Sequence, residues 1–233
     1  MSVASFFDDN IDVALINVGH AKLDDYKLLV ISADYLMDAA SADAVRNYVR
    51  NGGTAIMTAM SAKVDETNQW FDTPLPGRLS DVFGIRTSEF YRPSTPPEFN
   101  LNGRTEKASI GFYEVLEART AKPLAMFTNT EEKSPAITVS DFGKGQAIYI
   151  AVPSQMSAVA PLVRDLYPKL GIEKGPETPA GVYARVVDGR TLYVNTTGEQ
   201  EAVPINGTKH GTISGAVYQG TIRLKPYDVD IVE

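Results

Sequence analysis

The residues best placed to do chemistry lie between Met60 and Trp70 (MSAKVDETNQW). This stretch holds Lys63, the adjacent carboxylates Asp65 and Glu66, and Trp70, the only tryptophan of the chain. Such a set can meet a sugar or the rim of a neighbouring active site. The plain alternative is a solvated connection with one docked aromatic ring. Neighbouring residues of a strand or loop usually point apart, so Asp65 and Glu66 need not form a catalytic pair. Ser61, close to the end of an apolar run, suggests a nucleophile elbow, but the glycines of G-x-S-x-G are missing. The two histidines, His20 and His210, stand far apart in the sequence and in different expected domains. They offer neither a Ser-His-acid triad nor a zinc cluster. Gly143-Lys144-Gly145 lacks the Walker spacing and reads as a turn. Asn195-Thr-Thr197 and Asn206-Gly-Thr208 match the glycosylation sequon, a short pattern that carries no weight without a sign of secretion.

The elements that must position these residues follow from apolar spacing. Ile11 to Asn17 and Lys27 to Ser32 are apolar runs of buried-strand length. Asp38 or Ser41 can cap a helix to about Arg50, with Val45, Tyr48 and Val49 as its apolar stripe and Gly52 as its stop. Thr54 to Ala59 is then a third buried strand, and strand, helix and strand of these lengths should form a right-handed parallel crossover. In an open sheet of this kind ligands sit beyond the C-terminal strand ends, which singles out the loop from Met60 to Trp70. A short helix is expected from Pro76 to Phe83, stopped by Gly84, and a long polar loop from Tyr91 to Arg104.

Beyond that loop the pattern turns extended, with strands expected at 109–119, 123–128, 136–140 and 146–152. The last two are joined by a hairpin loop at Asp141 to Gly145. A helix from about Ser154 to Leu170 shows one apolar face through Met156, Val159, Val163, Leu166 and Leu170. Glu173 to Pro179 is a polar, proline-containing linker. After it Asp188-Gly189 is the strongest hairpin signal, because a type I′ turn needs positive φ at both positions. Asn206-Gly207 suits another turn. Strands at 216–218, 221–224 and 229–232 complete a small antiparallel sandwich. Residues 1–172 and 179–233 are thus the two expected domains.

Composition removes several function classes. With 29 acidic and 22 basic residues the formal charge is −7, and no basic run offers a grip on nucleic acid or an anionic membrane. The absence of cysteine excludes disulfides, thiolate metal sites and cysteine nucleophiles. A hydrophobic fraction of 43% against 22% charged residues is that of a folded globular chain. Met1 to Asp9 has no basic n-region or apolar run of signal length, and no stretch approaches the roughly 20 apolar residues of a membrane helix. A cytoplasmic location is expected, or a periplasmic one if the chain is part of an exported protein.

One collinear series of segments carries a resemblance. It runs through Tyr26-Lys-Leu-Leu-Val30, Tyr35-Leu-Met-Asp38, Val45-Arg-Asn-Tyr-Val-Arg-Asn-Gly-Gly-Thr54, Val64-Asp-Glu-Thr67 and Pro76-Gly-Arg-Leu-Ser-Asp-Val-Phe-Gly-Ile85. It continues through Pro135-Ala-Ile-Thr-Val139 and Phe142-Gly-Lys-Gly145. The order resembles the trimerisation domain of glycoside hydrolase family 42, the bacterial β-galactosidases, followed by that family's small C-terminal β domain from Gly181-Val182 to Pro226-Tyr227. The resemblance covers nearly the whole chain. It implies a flavodoxin-like, class I glutamine-amidotransferase-like doubly wound α/β sheet, then a small antiparallel β-sandwich.

The family's two catalytic glutamates belong to a (β/α)₈ barrel N-terminal to this region, so no catalytic residue carries over, and neither metal nor cofactor is implied. The expected role is a non-catalytic oligomerisation region that trimerises and helps enclose a neighbouring subunit's sugar pocket. Val64 to Thr67 matches the family's acidic loop. The family domain opens with a strand and helix for which Met1 to Asn10 is too short, so the chain is expected to be a cut or separately expressed piece. Two alternatives stand beside this reading. One is a carbohydrate-binding or regulatory module using Trp70, Phe90 and Tyr91 as stacking rings. The other is an independent hydrolase using Ser61 or the Asp65–Glu66 loop.

Overall fold

The computed structural model describes residues 4–108, 111–153 and 156–233. In chain order the elements are α1 (Ala4–Asp8), β1 (Leu28–Ile31), α2 (Ala39–Arg50), β2 (Thr54–Thr58), α3 (Ser80–Phe83), β3 (Ile85–Tyr91), β4 (Glu98–Leu101), β5 (Arg104–Lys107) and β6 (Tyr113–Ala118). There follow β7 (Lys122–Met126), β8 (Pro135–Phe142), β9 (Gly145–Ile150), α4 (Met156–Leu170), β10 (Val182–Val187), β11 (Arg190–Asn195), β12 (Glu201–His210), β13 (Val217–Leu224) and β14 (Val229–Val232). They fall into two compact units, one of Leu15–Gly171 and one of residues 4–14 with Ile172–Glu233. The N-terminal helix therefore belongs with the C-terminal strands.

The larger unit is built on a five-stranded mixed sheet in the order β1-β2-β9-β8-β7. Strands β1, β2 and β9 run parallel, while β8 and β7 are antiparallel additions. Every residue of β2 is buried, the apolar Ala55, Ile56 and Met57 flanked by the buried Thr54 and Thr58. Helix α2 forms as expected. The Asp38 side chain accepts from the Ser41 amide at 2.6 Å, and Ala42, Val45, Tyr48 and Val49 are the buried stripe. The turn that follows must be glycine. A Cβ on Gly53 would stand 2.5 Å from the Tyr48 ring, and one on Gly145 would stand 2.2 Å from the carbonyl oxygens of Val49 and Gly53.

Several expectations are corrected. Ile11 to Asn17 is not a strand: Leu15 is 88% exposed, and the third parallel strand is β9, far along the sequence. Its run is of strand length, but the Ile11 amide closes a turn on the Phe6 carbonyl, and the segment leads from one unit into the other. Residues 91–104 are not a plain loop, because β4 and β5 form a hairpin over Asn102 (φ 53°) and Gly103 (φ 79°). The expected helix from Pro76 divides into a 3₁₀ turn at Gly77–Leu79 and α3, with Gly84 left-handed at φ 65° as its end. The starts expected at Ser109 and Ser154 lie outside the described residues. Helix α4 buries Val163 and Leu166.

The smaller unit has two antiparallel sheets, β10-β11-β14 and β12-β13. Val182, Ala184 and Tyr193 of the first share a core with Val203, Ile222 and Leu224 of the second, and Val232 of β14 completes it. Asp188 (φ 50°) and Gly189 (φ 75°) make the expected type I′ turn. Asn206-Gly207 is no hairpin turn but lies where the β12–β13 register shifts between Pro204 and Thr208. The two short strands expected around residues 216–224 are the single strand β13, with Gly220 at φ 68°. Asn10 ties the N-terminal segment to this unit. Its amide donates to the Pro176 carbonyl at 2.7 Å and to Thr178 Oγ1 at 2.9 Å, and its oxygen accepts from the Ala184 amide at 2.7 Å.

Candidate functional site

The loop after β2 leaves the sheet at its C-terminal end. The Ala59 amide still donates to the Ile150 carbonyl of β9, at 2.8 Å. Met60 and Ala62 then adopt φ of 65° and 53°, left-handed values that side chains with a Cβ disfavour. The neighbouring backbone fixes them: the Ala62 amide donates to Asp34 at 2.8 Å, Lys63 to Tyr35 at 2.9 Å, and Met37 donates back to Val64 at 2.9 Å. Val64 forms bridges with Leu36 on one side and Trp70 on the other.

The four residues singled out from sequence go to different places. Lys63 is 1% exposed and turns inward, with Nζ 2.8 Å from Oε1 of the fully buried Glu114 on β6. This is a charge contact, since the ammonium meets no acceptor at a hydrogen-bonding angle. Glu114 Oε1 also accepts from the Met60 amide at 2.8 Å. Its Oε2 accepts from the Tyr149 hydroxyl at 2.7 Å and from Thr87 Oγ1 at 3.2 Å. Burial pushes the Lys63 ammonium below the usual lysine range, against the pull of Glu114. Burial and the same carboxylate drive the Tyr149 phenol well above 10.

Asp65 serves its own loop. One oxygen accepts from the Thr67 hydroxyl at 2.7 Å, the Thr67 amide at 2.8 Å and the Gln69 amide at 3.0 Å. The Thr67 hydroxyl and the Gln69 amide hold its carboxyl below the ordinary aspartate value. Glu66 turns instead to Arg78, 3.1 Å away, whose guanidinium lies over the Phe71 ring. The two carboxylates thus have separate partners. Trp70 is 49% exposed and meets Tyr35 edge to face at 6.2 Å. The accessible face of the loop runs from Glu66 to Trp70, with Asp65 half-buried beside it and Lys63 beneath.

The remaining candidates are accounted for by structure. Ser61 is fully buried and its hydroxyl oxygen accepts from the Asp34 amide at 3.2 Å, so the geometry offers no exposed nucleophile. His20 and His210 belong to different units. The Gly143-Lys144 turn packs on the end of α2, where the Lys144 amide donates to the Arg50 carbonyl at 2.9 Å. Asn195 is 1% exposed, and its amide nitrogen donates to the carbonyls of Glu199 and Lys225, each at 2.8 Å. Among the described residues no group of three or more histidines and carboxylates could hold a metal ion. Phe90 (54% exposed) and Tyr91 remain open to solvent, with Tyr91 against the Tyr113 ring. Sequence reasoning missed Glu114. In YEVLEA the inward position carries no mark that distinguishes it from Glu117 three residues on.

The architecture is an α/β unit on a mixed five-stranded sheet, followed in the chain by a small unit of antiparallel sheets. The chain belongs to the β-galactosidase trimerisation domain family of glycoside hydrolase family 42, whose model matches residues 4–175. It is 28% identical over 230 residues to the β-galactosidase LacZ of Heyndrickxia coagulans, covering 96% of this chain and 34% of that protein. It is also 28% identical to the β-galactosidase BglY of Alicyclobacillus acidocaldarius, covering 91% of this chain and 33% of that one. The chain therefore spans about a third of the length of the curated relatives it matches. Among solved structures it superposes on a β-galactosidase from Bacillus circulans sp. alkalophilus with a TM-score of 0.87 and 25% identity, over 98% of this chain and 36% of the other. It shares its fold, at a TM-score of 0.85 and 21% identity over 99% and 34% of the two chains, with a β-galactosidase from the haloarchaeon Halorubrum lacusprofundi.

Proposed function

We propose that this chain is the oligomerisation region of a β-galactosidase-like glycoside hydrolase, and that sugar chemistry is done by carboxylates outside it. The observation that carries the reading is the family match over residues 4–175. Residues 15–171 act as the trimerisation domain, of flavodoxin-like, glutamine-amidotransferase-like type, and residues 172–233, with the N-terminal segment 4–14, as the C-terminal β domain. The exposed face of the loop, Glu66 to Trp70 with the half-buried Asp65, meets a neighbouring subunit and borders its sugar pocket, while Lys63 supports it from below. Retaining hydrolysis needs two carboxyl groups roughly 5–5.5 Å apart across the scissile bond. Asp65 and Glu66, spent on the loop's own amides and on Arg78, do not suit that task. The role needs no cofactor, and the partners are other copies of the chain and a catalytic barrel.

Sedimentation velocity over a concentration series tests the reading. The expected species is a trimer of about 76 kDa, three times the 25.3 kDa chain. A monomer at all concentrations overturns it. The exposed rings of Trp70, Phe90 and Tyr91 favour, as a second reading, a carbohydrate-binding module. That reading expects a monomer whose Trp70 emission responds to galactosides.

A further inference from the structure

We infer that the buried Lys63–Glu114 pair is the positioning device of the loop that carries Trp70. The loop leaves β2 through two left-handed residues, Met60 and Ala62, and such conformations persist only where the surroundings over-determine them. One carboxylate does this from the far side. Glu114 Oε1 receives both the Met60 amide, at the start of the strained stretch, and the Lys63 ammonium, just past its end. Its other oxygen is held by Tyr149 on β9 and Thr87 on β3, so the loop is referred to two further strands at once. Lys63 is followed directly by Val64, which bridges both Leu36 and Trp70. A shift at Lys63 therefore reaches the indole through a single residue.

Stability alone is a poor reason for such a pair. A buried ion pair is often matched or bettered by apolar side chains of the same volume. An apolar side chain at position 114, however, would leave the Met60 amide without its acceptor and the left-handed turn without its anchor. The inference concerns the loop's conformation and stands whether or not the loop meets another subunit.

The single tryptophan reads the outcome. Lys63→Met and Glu114→Gln are compared with the double variant and with Tyr149→Phe by Trp70 emission maximum, acrylamide quenching and thermal midpoint. Each single variant at the pair is expected to shift the emission to the red and to raise quenching by up to about twofold, the limit set by the 49% of Trp70 already exposed. The double variant, in which a glutamine carbonyl still accepts from Met60 and no charge is left unpaired, returns both readings towards the parent. Tyr149→Phe removes one of two donors to the far oxygen of Glu114 while Thr87 still holds it, so it lowers the midpoint and shifts Trp70 much less than either variant at the pair. Parent-like emission and quenching in both single variants overturn the proposal, as does a Trp70 shift in Tyr149→Phe equal to theirs. Should the single variants fail to fold, amide exchange in the parent decides. Met60 must be protected as well as the amides of β2, and free exchange at Met60 refutes the anchoring role.

Discussion

Replacing Trp70 with alanine tests where the subunits meet. A tryptophan side chain presents up to about 250 Å², and 49% of Trp70 is left open in the single chain. If a neighbouring subunit covers that remainder, about 120 Å² leaves water, worth roughly 3 kcal/mol at ~25 cal/mol per Å². Alanine recovers a small part, so truncation costs about 2.5 kcal/mol per contact, or roughly sixtyfold in the constant for that contact. A closed trimer contains three equivalent contacts. The full assembly therefore loses about 7 kcal/mol, enough to dissociate a micromolar trimer.

The assay is sedimentation velocity of parent and Trp70→Ala side by side, with Trp70 emission of the parent followed through the same dilution series. The parent indole should shift to the blue as trimer forms. Two results refute the reasoning. One is a Trp70→Ala trimer that dissociates at the parent concentration, and the other is an emission maximum that does not move while the parent assembles. Either would place the subunit contact away from this loop while leaving self-association itself intact. A parent that never assembles is a different failure, that of the functional reading as a whole.

Other predictions follow from single contacts. Asp230 is 1% exposed and accepts from Ser214 Oγ at 2.6 Å, the Tyr218 hydroxyl at 2.7 Å and the amides of Ile213, Ser214 and Ile231. Burial opposes its charge, yet these donors hold its carboxyl below the usual value. Its contribution is then complete above the unfolded aspartate value near 4 and fades as pH falls through the depressed one. Asp230→Asn should cost about 2 kcal/mol in urea unfolding at pH 7 and flatten the acid limb of the stability curve. A Cβ on Gly145 would meet two backbone oxygens at 2.2 Å, so Gly145→Ala should cost about 4 kcal/mol or more, seen as a large drop in thermal midpoint. Gly189→Ala, left-handed but in open space, should cost only about 1 kcal/mol by the same assay. Asn10→Ala removes three hydrogen bonds, one of them to the otherwise buried Ala184 amide, and should cost about 2 kcal/mol. Limited proteolysis should then cut first within residues 4–14.

What the sequence made legible depended on whether a local signal and a tertiary demand agreed. At α2 they did: a capping aspartate, an apolar stripe and a glycine stop all point one way, and the helix runs over Ala39–Arg50. At Asp188-Gly189 the turn chemistry alone suffices, because few other dipeptides tolerate two positive φ values. Asn102-Gly103 carries the same signal, but the prolines and polar residues around it read as a loop and mask the hairpin. Ile11 to Asn17 failed for the opposite reason. Its apolar length suits a buried strand, but length says nothing about whether a partner strand is there to bond it. In the candidate site, the separate fates of Asp65 and Glu66 followed from adjacency, and Trp70 is as accessible as a docked surface ring should be. The inward turn of Lys63 was not legible, because its partner Glu114 is 51 residues away and nothing local links them.

That distance bears on how the chain should be understood. Titratable groups at strand ends in an α/β fold are ordinarily candidates for catalysis, since perturbed groups cluster at working sites. Here Lys63, Glu114 and Tyr149 are buried and face the interior, where Tyr149 donates to Glu114 and Lys63 meets the same carboxylate as a charge contact. Ser61, at the position where a nucleophile would stand, accepts a backbone hydrogen bond in the same buried layer. The polar groups at this end of the sheet lie beneath the loop, and outside it stand the Trp70 indole, Thr67, Asn68, Gln69 and a Glu66 bound to Arg78, with Asp65 half-buried on the loop's own donors. Such a surface offers no pair of unpartnered carboxyl groups. It matches the demands of a contact between subunits better than those of bond cleavage, which needs a pair of carboxyl groups free to exchange protons with a substrate.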